Sequence, residues 1–279
     1  MKLVSQNYGK SRVRVMKVLR QGGTHTIKEL SVRVALEGEF ETSYTEADNS
    51  KVVPTDTVKN TVNVLAHDHL GADNEPFALV LAQHFLNRYS QIARVRVELR
   101  ERLWSRMSIG SQPHPHSFIQ SDGATPFVQL VFDQVERRLE SGITNFVILK
   151  STASGFENYP RCEFTTLPET SDRIFATAVT ATWRWSNKPP DYGAANHSII
   201  RAIVKPFAEN YSPSVQATMW EMGQAALNAC STISQITLAL PNLHCLLINL
   251  KPFDRENPNV TFVPTDEPHG QIEATIARE

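Results

Sequence analysis

The chain has 279 residues, 41% of them hydrophobic, which is enough to bury one large core or two of medium size. Its 28 basic and 29 acidic residues give a formal net charge of −1, so no strong overall field attracts nucleic acid or an anionic membrane. No apolar run reaches the roughly 18 residues of a membrane-spanning helix. Cys162, Cys230 and Cys245 are too few and too far apart for a disulfide framework or a cysteine zinc site.

The two ends of the chain carry no recognisable targeting signal. Residues 1–7 lack the apolar segment of a secretory signal, and residues 276–279 do not match the Ser-Lys-Leu signal of peroxisomal proteins. We therefore expect a cytoplasmic protein, with neither nucleic acid nor a membrane among its partners.

The first half of the chain predicts a hairpin, two helices and further strands. Apolar and polar residues alternate at the start, and a Gly-Gly pair marks the turn. Asn74 is the predicted N-cap of the second helix, since Pro76 follows in its first turn. In chain order, the prediction is strands over 13–18 and 30–36, helices over about 55–69 and 75–90, a strand over 95–99 and a partner strand for it near 115–120.

The second half repeats this order, with an insertion over 151–195. Its hydrophobic patterns change from period two to helical and back again. In chain order, the prediction is strands over 127–132 and 143–149 around a turn at 140–142, helices near 196–209 and 212–230, and strands over 233–240 and 245–250.

Segregated strands and helices predict the α+β class, with antiparallel sheets and helices on one face. The duplicated order predicts two repeats, 1–124 and 125–279. Two such sheets leave long strand edges, so we expect oligomerisation to close them, and strands with one charged face would suit a barrel with a polar lining.

The polar stretch 44–50 leads into the helix that begins near Thr55. Loops that end at a helix N-terminus commonly hold ligands, because free backbone amides are available there. Thr55 and Asp56 could merely cap this helix, or they could present a hydroxyl and amides to a ligand. Lys10, just before the first strand, could be a solvated surface residue or a base, since desolvation disfavours the charged form of a lysine.

Arg173 and Phe156 have two interpretations each. Arg173 could pair with a surface acid, or its planar guanidinium could hold a flat anion through two parallel hydrogen bonds. Phe156 lies in a polar loop, where it could anchor the loop to the core or stack on a heterocycle.

Val215 and Gln216 occupy the predicted first turn of a helix, where amides and the positive end of the dipole suit an anion. They could equally be ordinary residues of an exposed first turn. Asn242 and His244 lie between two predicted strands, either in a hairpin turn or in an extended segment with both side chains on the same side. The pairs His67/His69 and His114/His116 lack the spacing and partners of common zinc sites, so no metal is predicted.

Together these segments resemble the urate oxidase (uricase) family, in their order and in their amino-acid sequences, over nearly the whole chain. Two of the matching stretches, 44–62 and 172–185, are long enough to make chance similarity implausible. The other matching stretches are residues 8–15, 212–219, 240–244 and 266–275.

The resemblance implies the tunnelling fold (T-fold), with two repeats per chain and β-barrels closed by assembly into a homotetramer. It places the active sites at subunit interfaces. It implies oxidation of urate by O2 and water to 5-hydroxyisourate and hydrogen peroxide, a step of purine degradation that uses no metal and no organic cofactor.

The resemblance also implies how the substrate is bound. Phe156 would stack on the purine, while Arg173 and Gln216 would hold its polar edges. The backbone amides of Val215 and Asp56 would add hydrogen bonds. This set suits urate, which is planar, anionic and rich in donors and acceptors.

For the chemical step, the resemblance implies that Lys10 and Thr55 abstract a proton and that His244 extends the relay. Asn242 and Thr55 would hold O2 or water over the ring. The electron-rich urate dianion could then pass an electron to O2 directly, so no cofactor would be needed.

Two alternatives remain open. Another T-fold enzyme acting on a purine or pterin, such as a relative of GTP cyclohydrolase, would need a zinc site and usually a glutamate that grips the heterocycle. Gln216 and the missing cysteine ligands count against it. A catalytically inactive purine- or pterin-binding oligomer would keep Arg173, Gln216 and Phe156 without turnover. The presence of both Lys10 and Thr55 counts against it.

Overall fold

The computed structural model describes residues 1–279, apart from the side chain of Gln21. It divides into two compact units. Unit 1 contains Met1–Gly142 and Pro190–Gly193, and unit 2 contains Ile143–Pro189 and Ala194–Glu279. The repeat boundary between residues 124 and 125 stays a prediction. Within the described residues, no helix is both long and apolar enough to cross a membrane.

The predicted α+β class is confirmed, and every strand pair with a recorded register is antiparallel. The described elements, in chain order, are β1 (Tyr8–Gln21), β2 (Thr24–Gly38), α1 (Glu41–Thr45), α2 (Thr55–His69), α3 (Asn74–Arg88), β3 (Ile92–Arg102), β4 (Trp104–Ile109), β5 (Gln112–Gln120), β6 (Thr125–Asp133), β7 (Arg137–Lys150), β8 (Phe175–Trp185), α4 (Tyr192–Glu209), α5 (Val215–Ala229), β9 (Ile233–Ala239), β10 (Asn242–Leu247), β11 (Phe262–Gly270) and β12 (Glu273–Ala277). A short 3-10 helix, Lys251–Phe253, precedes β11.

Unit 1 is a sheet with α2 and α3 packed on one face. Its strands follow the order β1, β2, β3 and β6, followed by the first part of β7 up to Gly142, and β4 and β5 form a separate two-stranded sheet. Alternate residues of each strand face the helices, so Val32 and Leu99 lie opposite each other and are buried. The helices contribute apolar residues at helical spacing, such as Val58 and Val62 of α2 and Phe77 of α3.

Two predictions about unit 1 are wrong in detail. The strand predicted near 115–120 exists as β5, but it pairs with β4, whereas β3 pairs with β2 and β6. The reason is burial. Strands β3 and β6 both have buried residues, which pack next to each other, whereas β5 has none. Asn74 is the first residue of α3 and Asp73 is its N-cap, so the predicted cap is displaced by one residue.

The turn predicted at residues 140–142 is also wrong, because these residues lie within β7. The chain turns immediately after Asp133 instead. The Asp133 carboxylate accepts hydrogen bonds from the backbone N–H groups of Val135 (2.7 Å) and Glu136 (2.6 Å). These bonds, together with Arg94, lower the pKa of Asp133 to about 2. An aspartate that bonds the backbone two and three residues ahead favours a turn.

Unit 2 contains a second sheet region and the helices α4 and α5. Along the sheet, β7, β8, β10 and β11 follow one another, and β9 pairs with both β8 and β12. Phe207 of α4 packs on Phe175 of β8, with ring centroids 5.1 Å apart. On α5, Gly223 lies against Ile276 of β12, where an added Cβ would be only 2.7 Å from the isoleucine Cδ1.

The region 151–195 is more than an insertion. It contains β8, a well-buried strand whose residues pair with β9 and β10. Asn242 and His244 belong to β10, so the interpretation of this segment as a hairpin turn is wrong. The helix predicted near 212–230 begins at Val215, after Ser214 as N-cap.

Candidate active site

The predicted site residues divide between the two units. Unit 1 contains the proposed proton-abstracting pair and one backbone ligand of the substrate. Unit 2 contains the other binding residues and His244, which is expected to extend the proton relay. The unit 1 set is Lys10, Thr55 and Asp56, and the unit 2 set is Phe156, Arg173, Val215, Gln216, Asn242 and His244.

Lys10 lies at an irregularity in the pairing of β1 with β2. The register shifts between Lys10 and Val13, and Arg12 has a left-handed backbone with φ of 57°. Bulges of this kind redirect side chains and are common beside active sites. Gly9 allows the two strands to approach closely here, because a Cβ at residue 9 would lie 2.0 Å from the carbonyl oxygen of Val34.

Tyr8 connects the start of β1 to the segment that enters α2. Its hydroxyl oxygen accepts a hydrogen bond from the backbone N–H of Val53 at 2.8 Å, and its ring packs edge-on against Phe40. Burial raises the pKa of Tyr8, so the phenol stays protonated. Tyr8 was not among the predicted site residues, although it lies two residues before Lys10.

Thr55 and Asp56 are the first two residues of α2, and the N-cap is Pro54, which makes no side-chain cap bond. The interpretation of Thr55-Asp56 as a cap is therefore wrong. The first amides of an uncapped helix have no intrahelical acceptor and are free to bind a ligand.

The Asp56 carboxylate is engaged within its own helix. It accepts hydrogen bonds from Lys59 and, at 2.9 Å, from Asn60. The bond from Lys59 is the main reason that the pKa of Asp56 is lowered, and the positive charge of Lys10 contributes as well. Lys10 therefore lies close enough to the start of α2 to act on it electrostatically. In unit 1, the predicted residues do come together.

In unit 2, a short backbone pairing assembles the binding residues. Ser154 forms a parallel bridge with Ser212, and Gly155 donates its N–H to the Ser212 carbonyl at 2.8 Å. Phe156 pairs with Thr170, and Arg173 donates its N–H to the carbonyl of Ser154 at 2.7 Å. The segments around Phe156 and Arg173 are thus bound to each other and to the residues that precede α5.

Gly155 makes this pairing possible. A Cβ at residue 155 would lie 2.2 Å from the Tyr211 hydroxyl and 2.9 Å from the Thr170 carbonyl oxygen. The Tyr211 hydroxyl is fixed in place because it donates to the carbonyl of Ser171 at 2.9 Å. No side chain larger than hydrogen fits at residue 155 without displacing its neighbours.

Arg173 and Phe156 form the centre of this group. The Arg173 guanidinium carbon lies 5.5 Å from the centroid of the Phe156 ring, which also stacks on Tyr159 with a centroid distance of 4.9 Å. Arg173 is partly buried and makes no ion pair with any carboxylate of the described residues. Burial lowers its pKa, although an arginine keeps its proton at any physiological pH. A desolvated cation without an acid is a site for an anion.

The N-terminus of α5 adds to this positive environment. The Ser214 hydroxyl caps the helix by accepting from the N–H of Ala217 at 3.1 Å. Val215 and Gln216 lie in the first turn, where backbone amides are free and the helix dipole favours negative charge. The Gln216 side chain is exposed, as a residue that contacts a ligand should be.

Asn242 lies opposite Thr177 in the pairing of β10 with β8. Thr177 is fully buried, and its hydroxyl has no hydrogen-bond partner in the structure. Antiparallel partners share a face, so this unsatisfied hydroxyl lies beside the Asn242 side chain. The register of β10 with β11 shifts between Asn242 and His244, and an irregularity of this kind changes the direction of the His244 side chain. Thr177 carries no sequence signal that would have identified it.

Lys150, at the end of β7, is a second site residue that the sequence did not reveal. Its ammonium donates to the Asn210 carbonyl at 2.9 Å and to the Ser212 hydroxyl at 2.7 Å. Thr218 donates to the same hydroxyl at 2.6 Å. Burial lowers the pKa of Lys150. Lys150 therefore holds Ser212, the residue that pairs with Ser154.

The histidine pairs do not assemble into a metal centre. His67 bonds its neighbour Asp68 at 2.7 Å, and the rings of His114 and His116 pack edge to face. Across the part of the chain that the structure describes, no three His, Cys, Asp or Glu residues are grouped so that they could hold a metal ion.

Comparisons with known proteins all point to one family. A family model described as Uricase matches residues 6–131 and 139–273. A uricase of Arthrobacter globiformis is 40% identical over 278 residues, which are 99% of this chain and 90% of that protein. A uricase of Cyberlindnera jadinii is 40% identical over 294 residues, with coverage of 99% and 97%.

Solved structures show the same likeness. The crystal structure of the Arthrobacter globiformis uricase has a TM-score of 0.95 at 39% identity and covers 100% of this chain and 96% of that one. A uricase from Bacillus fastidious, at 23% identity, has a TM-score of 0.85 over 98% of this chain and 94% of that one. The second likeness concerns the fold alone.

The close contact at Gly155 predicts the effect of a single methyl group. Gly155→Ala should lower the free energy of unfolding by roughly 1–3 kcal/mol, because the new Cβ overlaps the Tyr211 hydroxyl and the Thr170 carbonyl. Adding Tyr211→Phe should restore part of the loss, since it removes the closest atom. Urea unfolding measures both, and Gly123→Ala is the control because nothing lies within 4 Å of its Cβ. Equal effects at residues 123 and 155 would contradict the prediction.

Proposed function

Because this chain belongs to the uricase family, a family of T-fold urate oxidases, we propose that it oxidises urate through the residues described above. The reaction consumes urate, O2 and water and yields 5-hydroxyisourate and hydrogen peroxide. Urate gives up two electrons, O2 takes them up with two protons, and water supplies the new hydroxyl group. The atoms and charges balance without a further oxidant.

The observation that carries the binding proposal is the unpaired guanidinium of Arg173 beside the Phe156 ring. Urate is flat and anionic. It can stack on Phe156 while the planar fork of Arg173 donates two parallel hydrogen bonds to its edge. The N-terminus of α5 supplies the Val215 amide, and the Gln216 side chain supplies both a donor and an acceptor.

We assign the proton transfer to Lys10 and Thr55, with His244 extending the relay. Asn242 and Thr55 hold O2 or water over the ring, and the Asp56 amide adds a hydrogen bond. The bulge at Lys10 and the uncapped start of α2 support these roles, because they leave a side chain and backbone amides available to substrate. Removing a proton makes urate more electron-rich, so positioning and deprotonation are the two tasks left to the protein. No cofactor is part of this proposal.

We further propose a homotetramer in which Lys10, Thr55 and Asp56 of one protomer complete the site of another. The support is that strands at both ends of the sheet order lack a second neighbour: β1 pairs with β2 alone and β11 with β10 alone among the described strands. Long unpaired edges favour association with another chain.

The experiment that tests the function uses metal-stripped protein, urate and air. Urate loss is followed by its ultraviolet absorbance, and peroxide is assayed in parallel. Equal amounts of urate lost and peroxide formed are expected. Tight binding of a xanthine analogue without turnover would instead indicate an inactive binding protein, and activity that returns only with added metal would overturn the cofactor-free reaction.

Lys10→Met should reduce kcat by roughly 10²–10⁴-fold, the usual contribution of a general base. Binding of a xanthine analogue should change little, because Lys10 is not one of the groups assigned to hold the ring. Steady-state kinetics and a binding titration give both values. Lys251→Met, at an exposed lysine of unit 2, serves as the control. Unchanged turnover would rule out the base role.

Arg173→Lys should raise KM by about tenfold to a hundredfold, or about 1.4–2.8 kcal/mol of lost binding. The substitution keeps the positive charge and removes the fork that makes parallel hydrogen bonds. Initial rates over a range of urate concentrations measure the change. Arg201→Lys, on an exposed position of α4, controls for the exchange itself. A KM equal to that of the control would show that Arg173 acts as a charge alone or not at all.

Lys150→Met tests a positioning role. Loss of the bonds to Asn210 and Ser212 should loosen the pairing that places Phe156 and Arg173, so KM should rise about tenfold. The value of kcat should stay within about threefold, since Lys150 is not assigned to the chemical step. Lys205→Met, at an exposed lysine on α4, is the control. A fall in kcat at constant KM would contradict a positioning role.

A further inference from the structure

One face of the unit 1 sheet is rich in arginine. Val32 and Leu99 belong to a row of cross-strand neighbours that faces the helices and is buried. The next row contains Arg14, Ser31 and Arg100, which are opposite one another on β1, β2 and β3. Because successive residues of a strand point to opposite faces, this second row lies on the face away from α2 and α3.

The arginines on this face outnumber the acids that could neutralise them. Glu29 is almost fully buried, and two guanidinium groups and the Trp104 indole N–H approach its carboxylate. The ion pairs of this region are Arg14 and Arg102 with Glu29, and Arg33 with Glu98. Arg12 and Arg100 remain, and neither makes an ion pair with a carboxylate of the described residues.

Two cavities meet at these unpaired cations. One has a volume of about 370 Å³ and the other about 360 Å³, and Arg12, Ser31 and Arg100 line both. A cavity of this size is larger than a small anion needs. The two exposed guanidinium groups therefore share a half-open cleft with a hydroxyl donor. The acids that also line it, Glu29, Glu98 and Glu101, are each already in an ion pair.

The backbone fixes both arginines on this face. Arg12 lies in the bulge of β1, and its positive φ turns its side chain out of the regular alternation. Arg100 belongs to the regular part of β3, and its guanidinium carbon lies 5.8 Å from the centroid of the Phe127 ring. Stacking on an aromatic ring leaves the edge of the guanidinium free to donate hydrogen bonds.

We propose that Arg12, Ser31 and Arg100 form a second anion site, which takes a small anion that carries several acceptor oxygens. Two sources have this chemistry, namely inorganic phosphate and the urate anion itself. None of the three residues is among those assigned to urate oxidation above, so the phosphate result does not depend on that assignment. The urate result does rest on it.

The first experiment measures phosphate binding to the assembled protein by calorimetry and by the shift of the thermal midpoint at constant ionic strength. Arg100→Gln is the variant, and Arg201→Gln is the matched control with an exposed arginine of α4 removed. The expected result is a rise of the midpoint with phosphate in the wild type and control, and an affinity at least about tenfold weaker in Arg100→Gln. Equal phosphate binding in all three proteins would overturn the proposal.

A second variant protects the test against a folding defect in Arg100→Gln. Arg12→Asn removes the other cation, and asparagine tolerates the positive φ at this position. Loss of phosphate binding in either variant, with an unchanged midpoint in the absence of phosphate, supports the site. Retention of full binding in both variants overturns it.

Equilibrium dialysis with urate, in the absence of oxygen so that no turnover occurs, distinguishes urate from phosphate as the occupant of the second site. Two urate molecules per chain in the wild type and one in Arg100→Gln would identify the substrate anion as the occupant. One urate per chain in both proteins, together with the phosphate effect, would identify a free oxoanion. Failure of the proposed function would instead appear as no urate bound and no turnover, with the phosphate result intact.

Discussion

The backbone pairing of Ser154 with Ser212 is the constraint on which the binding half of the site depends. Three short backbone hydrogen bonds, of 2.7 to 2.9 Å, connect the segment 153–155 to Arg173 and to the residues before α5. An aromatic ring, a guanidinium and a helix N-terminus are thereby placed by main-chain geometry instead of by flexible side chains. Rigid placement matters because a small misplacement of binding groups reduces catalysis strongly. Two residues support this pairing. Lys150 holds Ser212 by a hydrogen bond, and Gly155 has no side chain that would collide with Tyr211 and Thr170.

Both halves of the site leave positive groups unsatisfied. Arg173 is partly buried without an acid, α2 begins without a side-chain cap, and the Val215 and Gln216 amides of α5 have no intrahelical acceptor. Partial burial of the unpaired Arg173 charge costs folding free energy, since the group loses water and gains no partner. In the proposed binding mode, an anionic substrate would supply the missing partner to Arg173. Stability lost at such a position would then be recovered on binding.

The sequence predicted the helices of unit 1 closely, because their signals are local. Residues 55–69 follow Pro54 and show a clear helical period, and α2 has these same limits. The strand β8 was missed although Val179, Ala181 and Trp183 alternate with more polar residues, because the segment was interpreted as an insertion and its partners β9 and β10 are far away in sequence. Asn242 looked like a turn residue for a related reason. Its strand conformation depends on pairing with Thr177, which no local pattern can reveal.

The candidate site was predictable only in part, and the limit is physical. From sequence alone, each residue could have an ordinary structural or surface role. Arg173, for example, could not be told from a surface arginine until its burial and its lack of an acid were known. The resemblance to a family gave the set of candidate site residues, and the structure adds the burial and the contacts of each. Lys150 lies 62 residues from Ser212 in sequence, and Thr177 matters only because its hydroxyl is buried and unsatisfied. Such properties arise from tertiary packing, and they are the ones that convert a list of polar residues into a candidate site for a flat anion.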